Sequence, residues 1–176
     1  EISRCDWSSD VCSSDLMRKV IVNSTPLIVL CGIGKLNILK EMYEEIIIPS
    51  AVFREVTAKD DSACVQIKSA GAWVHVEQIK DHGEKKMYKA KLHDGEVEVM
   101  ILAQERNADL VILDDNAAKK TAKYLGLTVT GTLGVLVKAK HQGIIEEVRP
   151  LLSEMRQNGF YVSKTVESMV LEQAGE

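Results

Sequence analysis

Residues Leu92–Leu127 read LHDGEVEVMILAQERNADLVILDDNAAKKTAKYLGL. The stretch parses as helix, strand, helix, with acidic residues at both turning points. Leu110–Leu113 is an unbroken apolar run, as expected of a central strand buried on both faces. Asp114 and Asp115 end it. The preceding helix opens on Asp94, Glu96 and Glu98, and a helical wheel separates these acids. Glu96 has Met100 four residues on and Ala103 seven on, so it shares a face with apolar residues. Glu98 has Leu102 at the first spacing but Glu105 at the second, which sets it nearer the polar side. Asp94 precedes the helix as an expected N-cap. Glu96 is thus the acid predicted to point inward, a costly position unless it is paired or bound to a cation.

Similar units lie on either side. Lys19–Val22 is a short buried strand stopped at Asn23, and Pro26 suits the first turn of a following helix. Leu36, Ile38, Leu39 and Met42 mark a short amphipathic helix. Ile46–Pro49 is a second strand. Ser50 is then the expected N-cap of a helix carrying Val52, Phe53 and Val56, with Glu55 at the edge of its apolar face. Further helices are predicted over Ser62–Ala70 and from Gly131-Thr132 to His141, the latter closed by Gly143. Another spans Ile145–Gln157, kinked or divided at Pro150, and a last one is capped by Ser163. Strands are predicted within Ala72–Ile79 and Leu127–Val129, with a brief extended piece at Phe160–Val162. Strands that alternate with helices predict an α/β fold: a three-layer sandwich with a central, mostly parallel sheet.

The first sixteen residues, EISRCDWSSDVCSSDL, stand apart. They have no helical or strand period, lack the basic and apolar regions of a signal peptide, and resemble a translated sequencing adapter. A plausible start, Met17, follows them, so a single domain is expected over residues 17–176. The whole chain carries 22 Lys and Arg against 26 Asp and Glu. Setting aside Arg4, Glu1, Asp6, Asp10 and Asp15 leaves 21 basic and 22 acidic residues. Such near-neutrality argues against a non-specific nucleic-acid coat but is compatible with a local basic rim. Cys31 and Cys64 remain, in apolar surroundings, and suit buried thiols in a reducing cytosol. No run is apolar and long enough to span a bilayer.

In an open parallel sheet, ligands bind beyond the carboxyl ends of the strands. Asn23 and Asp114-Asp115 would share that rim. Each acid also has a plain structural reading: first-turn acids suit the helix dipole, and Asp after a strand is a common turn residue. Taken together with Glu55, however, several acids on one rim repel unless a cation sits among them. Carboxylate oxygens suit Mg²⁺ or Mn²⁺, which can support phosphodiester hydrolysis. His75, His82, His93 and His141 are too scattered for a zinc site. Gly32–Lys35 lacks Walker spacing, and no Ser sits in a nucleophile elbow. Lys85, Lys86, Lys89 and Lys91 read first as a solvated helix face.

At this point the chain resembles a known family. VIVNSTPLIVL, IIIPSAVFREV, the stretch from Leu92 on through Gly143, and the ending NGFYVSKTVESMVLEQAGE are, in that order, similar to the PIN-like DUF3368 group, found beside small antitoxin-like genes. The resemblance implies a four-acid Mg²⁺ or Mn²⁺ site and cleavage of single-stranded RNA. It places the metal ligands at Asn23, Glu55, Glu96 and Asp115, with Asp114 adjacent, and the catalytic carboxylates at Glu55, Glu96 and Asp115. Ser24 and Thr25 fall where the family often has a hydroxyl near the metal. Asn23 departs from the usual acid, since an amide oxygen can ligate a cation but brings no charge.

The expected function is a metal-dependent endoribonuclease, the toxin of a type II toxin–antitoxin pair. Its partners would be single-stranded RNA and a cognate antitoxin protein, with homodimerisation common among relatives and no membrane association. Among the lysines that could line an RNA rim, Lys119 and Lys123 are the best-spaced pair. The alternative is a catalytically weak RNA- or protein-binding module, motivated by Asn23. A receiver-type phosphoacceptor, suggested only by Asp114-Asp115, lacks the early acidic pair and ranks last.

Overall fold

The computed structural model describes residues 18–83, 85 and 92–176. Over these, the chain runs β1 (Val20–Val22), α1 (Ser24–Gly32), α2 (Asn37–Tyr43), β2 (Ile46–Pro49), α3 (Ser50–Thr57), α4 (Ser62–Ser69) and β3 (Val74–Glu77). It continues through α5 (Asp94–Arg106), β4 (Leu110–Ile112), α6 (Asn116–Tyr124), β5 (Val129–Thr130), α7 (Thr132–His141), α8 (Arg149–Gln157) and α9 (Lys164–Ala174).

The five strands form one sheet in the order β3-β2-β1-β4-β5. Every pairing is parallel, with Val22 in register with Ile112 across β1 and β4. Val20, Ile21 and Val22 are all fully buried. Side chains alternate between the faces of a strand, so both faces of β1 are covered by helices, and the fold is the expected three-layer α/β sandwich. From β1 the chain winds outward to β3, then crosses back to β4 on the other side. The strand order therefore reverses between β1 and β4, and the crevice beyond their carboxyl ends is where such sheets bind ligands. Asn23 and Leu113-Asp114-Asp115 emerge there.

Helix α5 is buried from Gly95 through Ala103 without interruption. It packs against α3 as well as against β1 and β2. Glu98 is consequently buried at 4% exposure, contrary to its expected polar-side placement. The wheel assumed one solvent-facing side, but a helix that is apolar all round is enclosed all round. Position His93, not Asp94, is the N-cap of α5, and Asp94 is the first helical residue. Likewise Pro49 occupies the N-cap of α3, and Ser50 begins the helix with its hydroxyl turned to the Glu77 carbonyl. Helix α8 begins at Arg149, so Pro150 sits in its first turn rather than within a longer helix. Phe160–Val162 forms no strand. Cys31 and Cys64 are both buried and free, and burial pushes the Cys31 thiol up to about 12, which keeps it protonated and inert. No helix among the described residues is long and apolar enough to cross a membrane.

The end of α9 is tied back into the fold by Glu176. Its Oε1 accepts from the Lys140 ammonium at 2.7 Å and from the Val148 amide at 2.6 Å, and its Oε2 from the Arg149 amide at 3.0 Å. The carboxylate therefore caps α8 from a distance and pairs with α7. Burial alone would raise its pKa, but the Lys140 and amide hydrogen bonds prevail and hold it down to about 2. A carboxylate depressed in the folded state contributes stability above its unfolded value, and that contribution is lost as pH falls through the folded value. Glu176→Gln should therefore cost about 1–3 kcal/mol at neutral pH. The gap from wild type should close as pH drops from 4.5 towards about 2, as urea denaturation across that range would measure.

Candidate active site

The site is assembled from three places on the sheet's carboxyl rim. Strand β1 delivers Asn23, whose backbone amide extends the ladder to the Ile112 carbonyl at 3.0 Å. Strand β4 delivers Asp114 and Asp115. Helices α3 and α5, packed together, deliver Glu55 and Glu96.

Asn23 stands at the N-cap of α1, a position where its side chain would ordinarily accept from the helix, yet it makes no such bond. It is 3% exposed, and its Oδ1 is buried without a hydrogen-bond partner. An orphaned buried acceptor is costly. A hard cation is a natural partner for it.

The carboxylates sort by how their oxygens are used. Glu55 Oε1 accepts from the Gly95 amide at 3.1 Å, Glu96 Oε2 from the His93 amide at 3.1 Å, and Asp115 Oδ1 from the Ala118 amide at 2.8 Å. Each of these three is anchored through one oxygen on a helix N-terminus, and the other oxygen has no hydrogen bond from any described residue. Asp114 and Glu98 differ. Asp114 Oδ1 takes the Thr132 amide at 2.8 Å and Oδ2 the Thr132 hydroxyl at 2.6 Å. Glu98 Oε2 takes the Ala51 amide at 2.8 Å, while Oε1 takes the Lys85 ammonium at 2.7 Å, with Arg54 Nη2 at 3.8 Å. Asp114 thus caps α7 and Glu98 caps α3. The adjacent aspartates are separated by function within the fold, a distinction their sequence context left open.

Glu96 is the electrostatic centre. It is 8% exposed, and its pKa is raised, first by burial and then by the like charges of Asp115 and Glu55, against the lowering effect of the His93 amide and ring. These three acids therefore feel one another, as expected of acids that share one rim. Among the described residues, no three His, Cys, Asp or Glu side chains stand close enough to hold a metal ion between them. The donor set is nevertheless all oxygen, and it combines an orphaned amide with three acids that each keep one uncommitted oxygen. That chemistry fits a hard divalent cation that retains waters.

Of the remaining predicted positions, Ser24 and Thr25 lie in the first turn of α1. Lys119 and Lys123 have different surroundings. Lys123 is exposed, whereas Lys119 is half-buried, and its Nζ lies 2.8 Å from where a Cβ on Gly131 would stand, with Asp114 Oδ1 2.9 Å from the same point. Lys85 is half-buried on Glu98 rather than on a solvated face. Lys86, Lys89 and Lys91 lie outside the described residues. The residue missed by sequence reasoning is Glu98. The apolar run Val97–Ala103, broken only by Glu98 itself, was the signal that this helix has no wet side.

The family model that matches the chain is DUF3368, a PIN domain, over residues 19–176. The chain belongs to this family. A solved structure of a PilT N-terminus domain protein from the hyperthermophilic archaeon Sulfolobus solfataricus P2 is similar at 21% identity and a TM-score of 0.47, covering 68% of this chain and 92% of that one. No curated protein matches. PIN domains are generally nucleases and typically use divalent metals, so the acidic rim of this PIN domain lies where a nuclease-like module would be expected to work.

Gly95 leaves the room in which the Glu55 carboxylate reaches the start of α5. A Cβ there would lie 2.7 Å from both carboxylate oxygens of Glu55. Gly95→Ala gains about 1 kcal/mol of helix propensity and displaces only the end of a flexible side chain. The variant should keep or slightly raise its melting temperature while binding Mn²⁺ more weakly, which paired thermal melts and calorimetric titration would check.

Proposed function

We propose that the protein is a metal-dependent endoribonuclease that hydrolyses phosphodiester bonds in single-stranded RNA, acting as the toxin of a toxin–antitoxin pair. The observation that carries the reading is Glu96, a buried carboxylate within electrostatic reach of Glu55 and Asp115, on the rim where Asn23 keeps an orphaned buried oxygen. Unpaired like charges at the switch point of a parallel sheet are destabilising in themselves, and a cation-dependent reaction gives them a purpose. Family membership supports the nuclease class; the RNA substrate and the toxin role rest on the resemblance.

Glu55, Glu96 and Asp115, with the amide oxygen of Asn23, would hold Mg²⁺ or Mn²⁺ partly through the waters such an ion retains. When bound, the ion would activate water and offset charge on the leaving oxygen. The chain's own contribution is placement. Glu98 ties α5 to the first turn of α3 through Ala51, which fixes Glu96 and Glu55 relative to each other. Asp114 anchors the end of β4 to α7 through Thr132, which fixes the backbone from which Asp115 projects. Lys119 and Lys123 would draw the RNA backbone towards the rim.

Glu96→Gln keeps an acceptor for the His93 amide and removes one of the three mutually repelling charges. Mn²⁺-dependent cleavage of single-stranded RNA should fall at least a hundredfold, and the metal-free variant should melt higher than wild type at neutral pH. Added Mn²⁺ should raise the melting temperature of wild type far more than that of the variant. Undiminished cleavage by Glu96→Gln would remove Glu96 from the mechanism.

The second reading, a catalytically weak binding module, is favoured only by the neutral Asn23. Asn23→Asp decides between them. A second buried acid beside Glu96 on this rim should cost on the order of 1–3 kcal/mol without metal, yet bind Mn²⁺ more tightly and cleave faster if the site is a working nuclease. A variant that is destabilised and gains neither metal affinity nor activity would favour the binding module.

A further inference from the structure

Helix α6 begins at the Asp115 cap and carries an exposed stripe of which the proposed function uses only Lys123. Ala118 and Ala122 face the core. Opposite them Asn116, Lys120, Lys123 and Tyr124 are exposed, at helical spacings that set them on one side. Tyr124 is 92% exposed. Neither lysine of the stripe, nor Tyr124, makes a side-chain hydrogen bond or ion pair with another described residue. The stripe thus runs from the acidic site to a bare aromatic ring about 14 Å along the helix. A single exposed aromatic is ordinary, and Tyr161, also exposed at 86%, has no such continuity with the rim. What distinguishes Tyr124 is its place at the end of unpaired cations that lead from the candidate site.

We propose that this face of α6 is the track on which single-stranded RNA leaves the active site, with Lys120 and Lys123 on its phosphates and Tyr124 as a stacking platform for an unpaired base. The proposal rests on the nuclease reading for its direction along the helix. Charge complementarity favours a polyanion: both lysines lack acidic partners among the described residues, so bringing phosphates to them breaks no pair seen there. The ring adds selectivity for strands whose bases are free, since a π-face is accessible only when the base is unstacked. A duplex can satisfy the lysines but not the ring.

The test uses the full chain with Glu96→Gln to stop cleavage, and fluorescence anisotropy of short labelled oligouridylate, oligothymidylate and a duplex of matched length. Tyr124→Leu should weaken single-strand binding by about tenfold, Tyr124→Phe should restore it, and duplex binding should be weak and indifferent to both changes. Replacing Lys120 and Lys123 with Gln should reduce the slope of log affinity against log salt by about 1.4. Equal binding of oligouridylate and oligothymidylate would assign the track to bases and phosphates, and preference for the former to the ribose hydroxyl as well. Unchanged affinity in Tyr124→Leu, an unchanged salt slope in the lysine variant, or no binding of single strands at all would overturn the proposal. If wild type with Mn²⁺ fails to cleave RNA while these dependences hold, the nuclease reading falls and the track stands. If wild type cleaves RNA but Tyr124→Leu binds single strands normally, the track falls and the nuclease reading stands.

Discussion

Like charge held beside a dry sheet edge is the constraint to which the rest of this structure answers. Glu96 is buried on α5, which packs against α3 and the sheet, and lies within the electrostatic reach of Glu55 and Asp115. None of the three has a basic side chain hydrogen-bonded to it among the described residues. Each is held instead by one backbone amide at the start of a helix, where the dipole favours a negative group. Such anchoring tolerates an acid without neutralising it. A basic partner would have stabilised the fold more and filled the remaining oxygens, leaving nothing to coordinate a cation. The arrangement accepts a cost in stability at the position where the proposed reaction would need open ligands, a trade common at functional sites.

Three acids elsewhere in the fold show the contrast. Glu98, Asp114 and Glu176 each engage both carboxylate oxygens, and each caps a helix remote in sequence: α3, α7 and α8. Glu55 does the same for α5 through one oxygen. Helix starts in this fold are thus satisfied largely across the tertiary structure. That explains which local readings failed. Ser50 and Asp94 have the right chemistry for N-caps, but each lies one residue inside its helix, and the amide that follows it is taken by a distant acid, Glu98 or Glu55. Local capping holds at other helices: Ser163 accepts from Val166 and caps α9, and Asp61 accepts from Ala63 and Cys64 to cap α4.

The sheet and its order of elements were legible because short apolar strands ended at turn residues and helices carried clear periods. Glu96 was legible because its wheel neighbours were apolar. Glu98 was misplaced because an amphipathic wheel presumes a wet side, and α5 has none from Gly95 to Ala103. The choice between Asp114 and Asp115 depends on Thr132, which lies 18 residues beyond Asp114, so adjacent identical residues could not be told apart by local pattern alone. The division between Lys119 and Lys123 likewise depends on Gly131, whose missing side chain leaves the space in which the Lys119 ammonium sits.

Asn23 follows from the same constraint. A fourth carboxylate at the end of β1 would add repulsion to a cluster whose most buried member already resists ionisation, and it would do so at 3% exposure. An amide in that place keeps a free buried oxygen at the end of β1 without the charge. Its unpartnered Oδ1 is the residue's share of the cost, smaller than that of an unpaired buried carboxylate. The metal-free fold is relieved, and the attraction for a cation is weakened by one charge. In the proposed nuclease, a neutral Asn23 would shift the balance between a stable empty site and a tightly loaded one towards the former, without removing any oxygen from the donor set. A site built this way would bind its ion less tightly and depend more on ambient metal than one with four acids.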